Sequence, residues 1–186
     1  RLDPTWWVTN QDHCWDAAIA IDETRHFPLL TQAQARRLRP RDAMEAKAGK
    51  LLVVASGPKA LYEQVEPYLQ AMARKTMWVG EGELARVWKI AHNTMFGVII
   101  QNLCEITVLT EKAGIPRHVF LESINDSVLG SMYTKYKTPM LTNLTFDQVT
   151  FTPKLLLKDM DLGLGAAKAH GVAMPAAAAT RESVAR

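Results

Sequence analysis

The pattern of apolar and polar positions changes period once along this chain, near residue 80. Before that point, 50–55 (Lys-Leu-Leu-Val-Val-Ala) is a short, unbroken apolar run, the mark of a strand buried on both faces. Ser56-Gly57-Pro58 breaks the run, and Pro58 suits the first turn of a helix. Leu61, Val65, Leu69 and Met72 then recur at near-helical spacing, which predicts a helix over 59–73. A second strand is predicted at 76–79. Strand, helix and strand in this order form the edge of an α/β sheet. After Gly80-Glu81-Gly82 the spacing is helical throughout. A helix over 83–114, roughly 30 residues and about 45 Å at 1.5 Å per residue, is the length of a domain-spanning rod. Gly114 stops it and Pro116 opens the next helix, 117–125. Helices over 130–141, 155–169 and 176–186 follow, with Gly171 and Pro175 separating the last two. Residues 1–40 read weakly: a short strand at 6–8, and helical patterns at 12–21 and 31–38. The expectation is an α/β remnant followed by an all-α domain built around one long helix.

Composition narrows the function classes. The chain has 186 residues, 48% of them apolar, enough for a real core. Its net charge is +3, and no Lys/Arg run is long enough for a nucleic-acid surface. Arg36, Arg37, Arg39 and Arg41 are local and read as a solvated helix end. No stretch of 18 residues is uniformly apolar, so no membrane span is expected, and nothing at Arg1 resembles a signal peptide. The first residue is not Met, which suggests a processed or partial polypeptide. Cys14 and Cys104 make no disulfide framework, and a reducing cytoplasm is the expected location. His13 and Cys14 have no second ligand pair at metal spacing, so no metal is expected there.

Two places carry candidate chemistry. Lys89 and Asn93 lie one helical turn apart within the long apolar stretch, which puts an ammonium and an amide on one face. A lysine at an inward-looking position loses hydration, and burial disfavours its charged form. The plainer reading is a stem on the apolar face with its head in water. Lys158 and Asp159 interrupt the apolar face of a later helix, Leu-Leu-Leu-Lys-Asp-Met-Asp. They read either as a structural ion pair or, together with Lys89, as the walls of a site for an anionic ligand.

At these residues the chain resembles the β-hydroxyacid dehydrogenases, the group of 3-hydroxyisobutyrate dehydrogenase, and more distantly the imine reductases. The matching pieces run in order over 42–186: AKAGKLLVVASGP, PYLQAM with a strand ending WVG, the Lys-x-x-x-Asn of KIAHN, NLCEITVLTEKAGIP, FTPKLLLKD and GVAMPAAAA. The resemblance implies a partial Rossmann-like, nucleotide-binding portion over 42–80 and an all-helical substrate and dimerisation domain over 81–186, with 1–41 unassigned. It implies an NADP- or NAD-dependent oxidoreductase acting on a β-hydroxyacid or a related carbonyl or imine, working as a homodimer. By resemblance Lys89 is the catalytic lysine that exchanges the proton, and Asn93 orients the substrate. Lys158 lies near the cofactor or the substrate anion, and Asp159 holds it. Phe151 matches an aromatic that packs near the nicotinamide, although ordinary core packing accounts for it equally well. Ser127 and Ser131 fall where family members contact substrate.

The chain departs from the family pattern in its nucleotide-binding part. No G-x-G-x-x-G follows a strand. The serine–glycine–glycine substrate loop expected before Asp42 is replaced by Arg39-Pro40-Arg41, and Glu83 and Ala85 stand where glycines are usual. A fragment, a site completed by another subunit, and a diverged protein without catalysis each account for this. Three functions therefore compete: the oxidoreductase, a non-catalytic helical dimerisation module, and a small-molecule binder that stacks ligands on its tryptophan-rich start.

Overall fold

A computed structural model of the protein describes residues 16–20, 51–146 and 152–186. The sequence expectations at 6–8 and 31–38, and Phe151, lie outside the described residues. The described chain forms two compact units, Arg1–Ala91 and His92–Arg186, which divide within the long helix.

The first unit carries a three-stranded parallel sheet in the order β1 (Asp16–Ala20), β2 (Leu51–Ser56), β3 (Ala73–Trp78). Val53, Val54, Ala55 and Ser56 of β2 are fully buried, as the unbroken apolar run demands of a strand covered on both faces. Helix α1 (Lys59–Gln70) crosses from β2 to β3 and packs Tyr62 and Leu69 on Val53 and Ala55. The expected helix over 59–73 thus ends three residues early, and β3 begins at Ala73 rather than 76. Met72, which continues the helical spacing, instead closes the turn through its N–H to Leu69 O at 3.1 Å. Strand β1 falls where the sequence suggested a weak helix at 12–21. Its alanines favour helix intrinsically, but in-register pairing with β2 from Asp16↔Leu52 to Ala20↔Ser56 decides otherwise.

Helix α2 (Leu84–Lys112) is the expected rod, 29 residues long. Its first turn is capped from a distance. Ser56 Oγ at the end of β2 accepts from Ala85 N at 3.0 Å and donates to Gly82 O at 2.7 Å. One hydroxyl thereby satisfies a free helix-start N–H and ties the sheet to the rod. Ser56→Ala removes the cap and leaves the Ala85 N–H buried without it, at a cost of about 1–2 kcal/mol. Thermal denaturation should show a fall in Tm of about 2–8 °C; no fall would mean that the cap contributes nothing.

The second unit holds the rest of α2 and α3 (Arg117–Asp126), α4 (Met132–Asn143), α5 (Pro153–Ala169) and α6 (Pro175–Val184). Gly114, at φ +97°, stops α2. Helix α4 starts at Met132 because Ser131 and Thr134 form a reciprocal capping box. Leu156, Met160 and Ala177 form the core here, with Val98, Ile100, Leu164, Met174 and Val184 packed around them. Cys104 is half-buried, and burial, helped by Glu105, pushes its thiol above the ordinary range. Two glycines set how closely α2 and α5 approach. A Cβ on Gly163 would lie 1.9 Å from Thr94 Oγ1, and one on Gly97 would lie 2.6 Å from Met160 Sδ.

Candidate active site

Lys89 is the informative residue of the first unit. Its side chain sits in the second turn of α2 and only 8% of the residue is exposed. Its Nζ is buried and has no hydrogen-bond partner among the described residues. The water-facing alternative considered for this lysine is therefore wrong. A buried amine without a partner costs stability, typically about 1–3 kcal/mol or more for a charged group. Such a group is a candidate for chemistry.

One turn further along the same helix, Asn93 belongs to a network inside the second unit. Its Nδ2 donates to Asp159 Oδ2 at 2.9 Å, across 66 residues of sequence. Asp159 Oδ1 is 2.6 Å from Lys158 Nζ. Asp159 is buried, whereas the Lys158 side chain is 47% exposed. The three polar groups stand where α2 and α5 come close, one turn from the Thr94–Gly163 contact. A carboxylate in this setting is tolerated because a cation and an amide both reach it.

The remaining expected site residues have local partners. Ser127 Oγ donates to Ile124 O at 2.8 Å and accepts from Leu129 N at 3.1 Å. Ser131 caps α4, with its Oγ accepting from Thr134 N at 3.0 Å. Both serines are exposed and shape the turn between α3 and α4. The structure thus brings together Asn93, Lys158 and Asp159 and gives Ser127 and Ser131 turn and cap duties. Sequence reasoning missed Ser56 and the Thr94–Gly163 contact. Glycines inside two apolar helices, Gly97 and Gly163, were the available signal for the second.

Residues 82–186 match the family described as "NAD-binding of NADP-dependent 3-hydroxyisobutyrate dehydrogenase", and 42–80 match the "NAD binding domain of 6-phosphogluconate dehydrogenase". The chain belongs to the first of these families, within the β-hydroxyacid dehydrogenases. Both families are described by nicotinamide dinucleotide binding, so NADP or NAD is the family's cofactor. Glyoxylate/succinic semialdehyde reductase 2, chloroplastic, of Arabidopsis thaliana is 28% identical over 137 residues, 74% of this chain and 38% of its own length. The uncharacterized oxidoreductase YfjR of Bacillus subtilis is 31% identical over 134 residues, 71% of this chain and 46% of its own. The crystal structure of a 3-hydroxyisobutyrate dehydrogenase from Salmonella typhimurium superimposes with a TM-score of 0.69 at 24% identity. That likeness, over 77% of this chain and 50% of the other, establishes the fold. The chain spans less than half the length of these two curated relatives.

Proposed function

We propose that the protein is an NADP- or NAD-dependent oxidoreductase of the β-hydroxyacid dehydrogenase type. The observation that carries the reading is the buried Nζ of Lys89, which has no hydrogen-bond partner among the described residues and fits the oxygen of a reacting carbonyl or hydroxyl. The cofactor, when bound, supplies hydride to the carbonyl carbon or takes it from the carbinol carbon. Lys89 gives a proton to the carbonyl oxygen in reduction and takes one from the hydroxyl in oxidation. Asn93, one turn away, orients the substrate through its amide. Lys158, half exposed, offers a cation to the cofactor or to the substrate carboxylate. Ser127 and Ser131 contact the substrate. Residues 42–80 serve as part of the nucleotide-binding portion and 81–186 as the substrate and dimerisation domain. No residue here is assigned to the dinucleotide phosphates, because no G-x-G-x-x-G stands in the chain.

The substrate class follows from the relatives' names. Glyoxylate and succinic semialdehyde are both short aldehydes that carry a carboxylate, and a hydroxyacid is the product of reducing either. The protein acts as a cytoplasmic homodimer. Met95, Val108 and Leu109 on α2 are exposed apolar side chains that a second copy would cover. The alternative, a helical dimerisation module without catalysis, draws on the missing glycine-rich turn. Absorbance at the NADPH band and thermal denaturation separate the two. The oxidoreductase consumes NADPH with glyoxylate or succinic semialdehyde and gains about 2.7 kcal/mol at a hundred times the cofactor Kd. A protein that dimerises tightly, leaves NADPH unconsumed and keeps its Tm is the dimerisation module instead.

A further inference from the structure

We infer that Asp159 is a positioning residue: it fixes which edge of the Asn93 amide is presented to the substrate, and Lys158 is the counter-charge that keeps it buried. This rests on the reading of Lys89 and Asn93 proposed above and changes the role of Asp159. Resemblance alone makes Asp159 a holder of Lys158 at the cofactor. The hydrogen bonds say more. Both carboxylate oxygens are taken by groups of this chain, Oδ1 by Lys158 Nζ at 2.6 Å and Oδ2 by Asn93 Nδ2 at 2.9 Å. Only 5% of the residue is exposed, which leaves little of it for a ligand.

The chemistry of the partners then sets the orientation of Asn93. A carboxylate accepts hydrogen bonds and donates none, whereas an amide has an NH2 edge and a carbonyl edge. Facing Asp159, Asn93 has to turn its NH2 edge towards α5 and its Oδ1 away. His92 Nδ1 lies 3.4 Å from that Oδ1, on the accepting side. The amide therefore offers one acceptor and one remaining N–H in a fixed arrangement. A neutral amide at 159 would lose this instruction, because two amides can pair in either sense. Misplacing an orienting group by about 1 Å can cost on the order of a hundredfold in rate, so the instruction matters to turnover.

A double-mutant cycle in the complete protein tests the inference. Asp159→Asn should lower kcat by roughly 10–100-fold and move KM for NADPH by less than about threefold. In an Asn93→Ala background the same substitution should change kcat by less than about threefold, because the residue through which it acts is gone. Equal losses of kcat in both backgrounds, or a raised KM for NADPH with kcat untouched, would overturn it. A second measurement needs no turnover. The Asn93 side-chain amide protons, followed by nitrogen-15 NMR without cofactor, should exchange slowly with water and lose that protection in Asp159→Asn. Exchange as fast as that of a free amide overturns the inference while leaving the role of Lys89 standing. Unchanged kcat in Lys89→Met would sink the proposed reaction while leaving the amide protection intact.

Discussion

Lys89→Met is expected to lower kcat by about 10²–10⁴-fold, the usual contribution of a positioned acid or base. The same variant should melt at a higher temperature than the parent. Both expectations come from one observation, the buried Nζ without a hydrogen-bond partner among the described residues. Methionine has nearly the volume and length of the lysine stem, so the packing around residue 89 is kept. What it removes is a desolvated amine, and replacing a buried polar group by an apolar one of similar shape is neutral or stabilising. A gain of about 1–2 kcal/mol would raise Tm by about 2–8 °C for a chain of this size. The opposite signs make the test clean, because a variant that is inactive and more stable has not lost activity by unfolding. Lys89→Arg should not restore turnover. Guanidinium keeps its proton throughout the accessible pH range and is broader than the ammonium it replaces. Steady-state kinetics and thermal scans on the three proteins decide the matter, and full activity in Lys89→Met would remove Lys89 from the mechanism.

What could be read from the sequence follows from where the signals are local. The rod α2 was legible because glycines bracket it, Gly80 and Gly82 before and Gly114 after, and because its apolar spacing runs unbroken between them. Strand β2 was legible because four successive buried positions leave no helical face. Strand β1 was not, because Asp-Ala-Ala-Ile-Ala carries helix-favouring residues and becomes a strand only through the backbone of β2. The start of β3 was misplaced for a related reason: Met72 satisfies the helical period but sits in the turn. The polar residues of the candidate site could be named one at a time, Lys89, Asn93, Lys158 and Asp159. The pairing of Lys158 with Asp159 was legible too, but the partner of Asn93 was not. The bond from Asn93 to Asp159 joins residues 66 apart and depends on two helices approaching at positions without side chains. The far-reaching hydroxyl of Ser56 was hidden likewise, since a serine after a strand reads as a turn residue and its role as a cap exists only in three dimensions.

Those bare positions give the other large effect, Gly163→Ala. A single methyl group there would sit 1.9 Å from Thr94 Oγ1 and 3.0 Å from both Thr94 Cβ and Cγ2. These are the branch-point carbon of Thr94 and the two atoms on it, within two bonds of the α2 backbone, so the side chain has little freedom to swing away. The helices have to separate, and the Met160 and Leu156 packing on Gly97 loosens with them. Overpacking of this kind costs about 1–3 kcal/mol, and alanine's better helix propensity returns about 1 kcal/mol at most. The net fall in Tm should be a few degrees, about 2–4 °C for each kcal/mol. The catalytic loss should exceed what that stability change explains, because Asp159 lies one turn before Gly163 on α5 and its bond to Asn93 spans the gap that widens. Thr94→Ala, which removes Oγ1 and Cγ2 but leaves the 3.0 Å Cβ contact, supplies the control. Combined with Gly163→Ala it should restore part of both Tm and kcat relative to Gly163→Ala alone, a coupling of about 0.5–3 kcal/mol in the double-mutant cycle. Strict additivity would show that Thr94 and Gly163 do not set the spacing of α2 and α5, and the close approach would then have no part in holding Asp159 against Asn93.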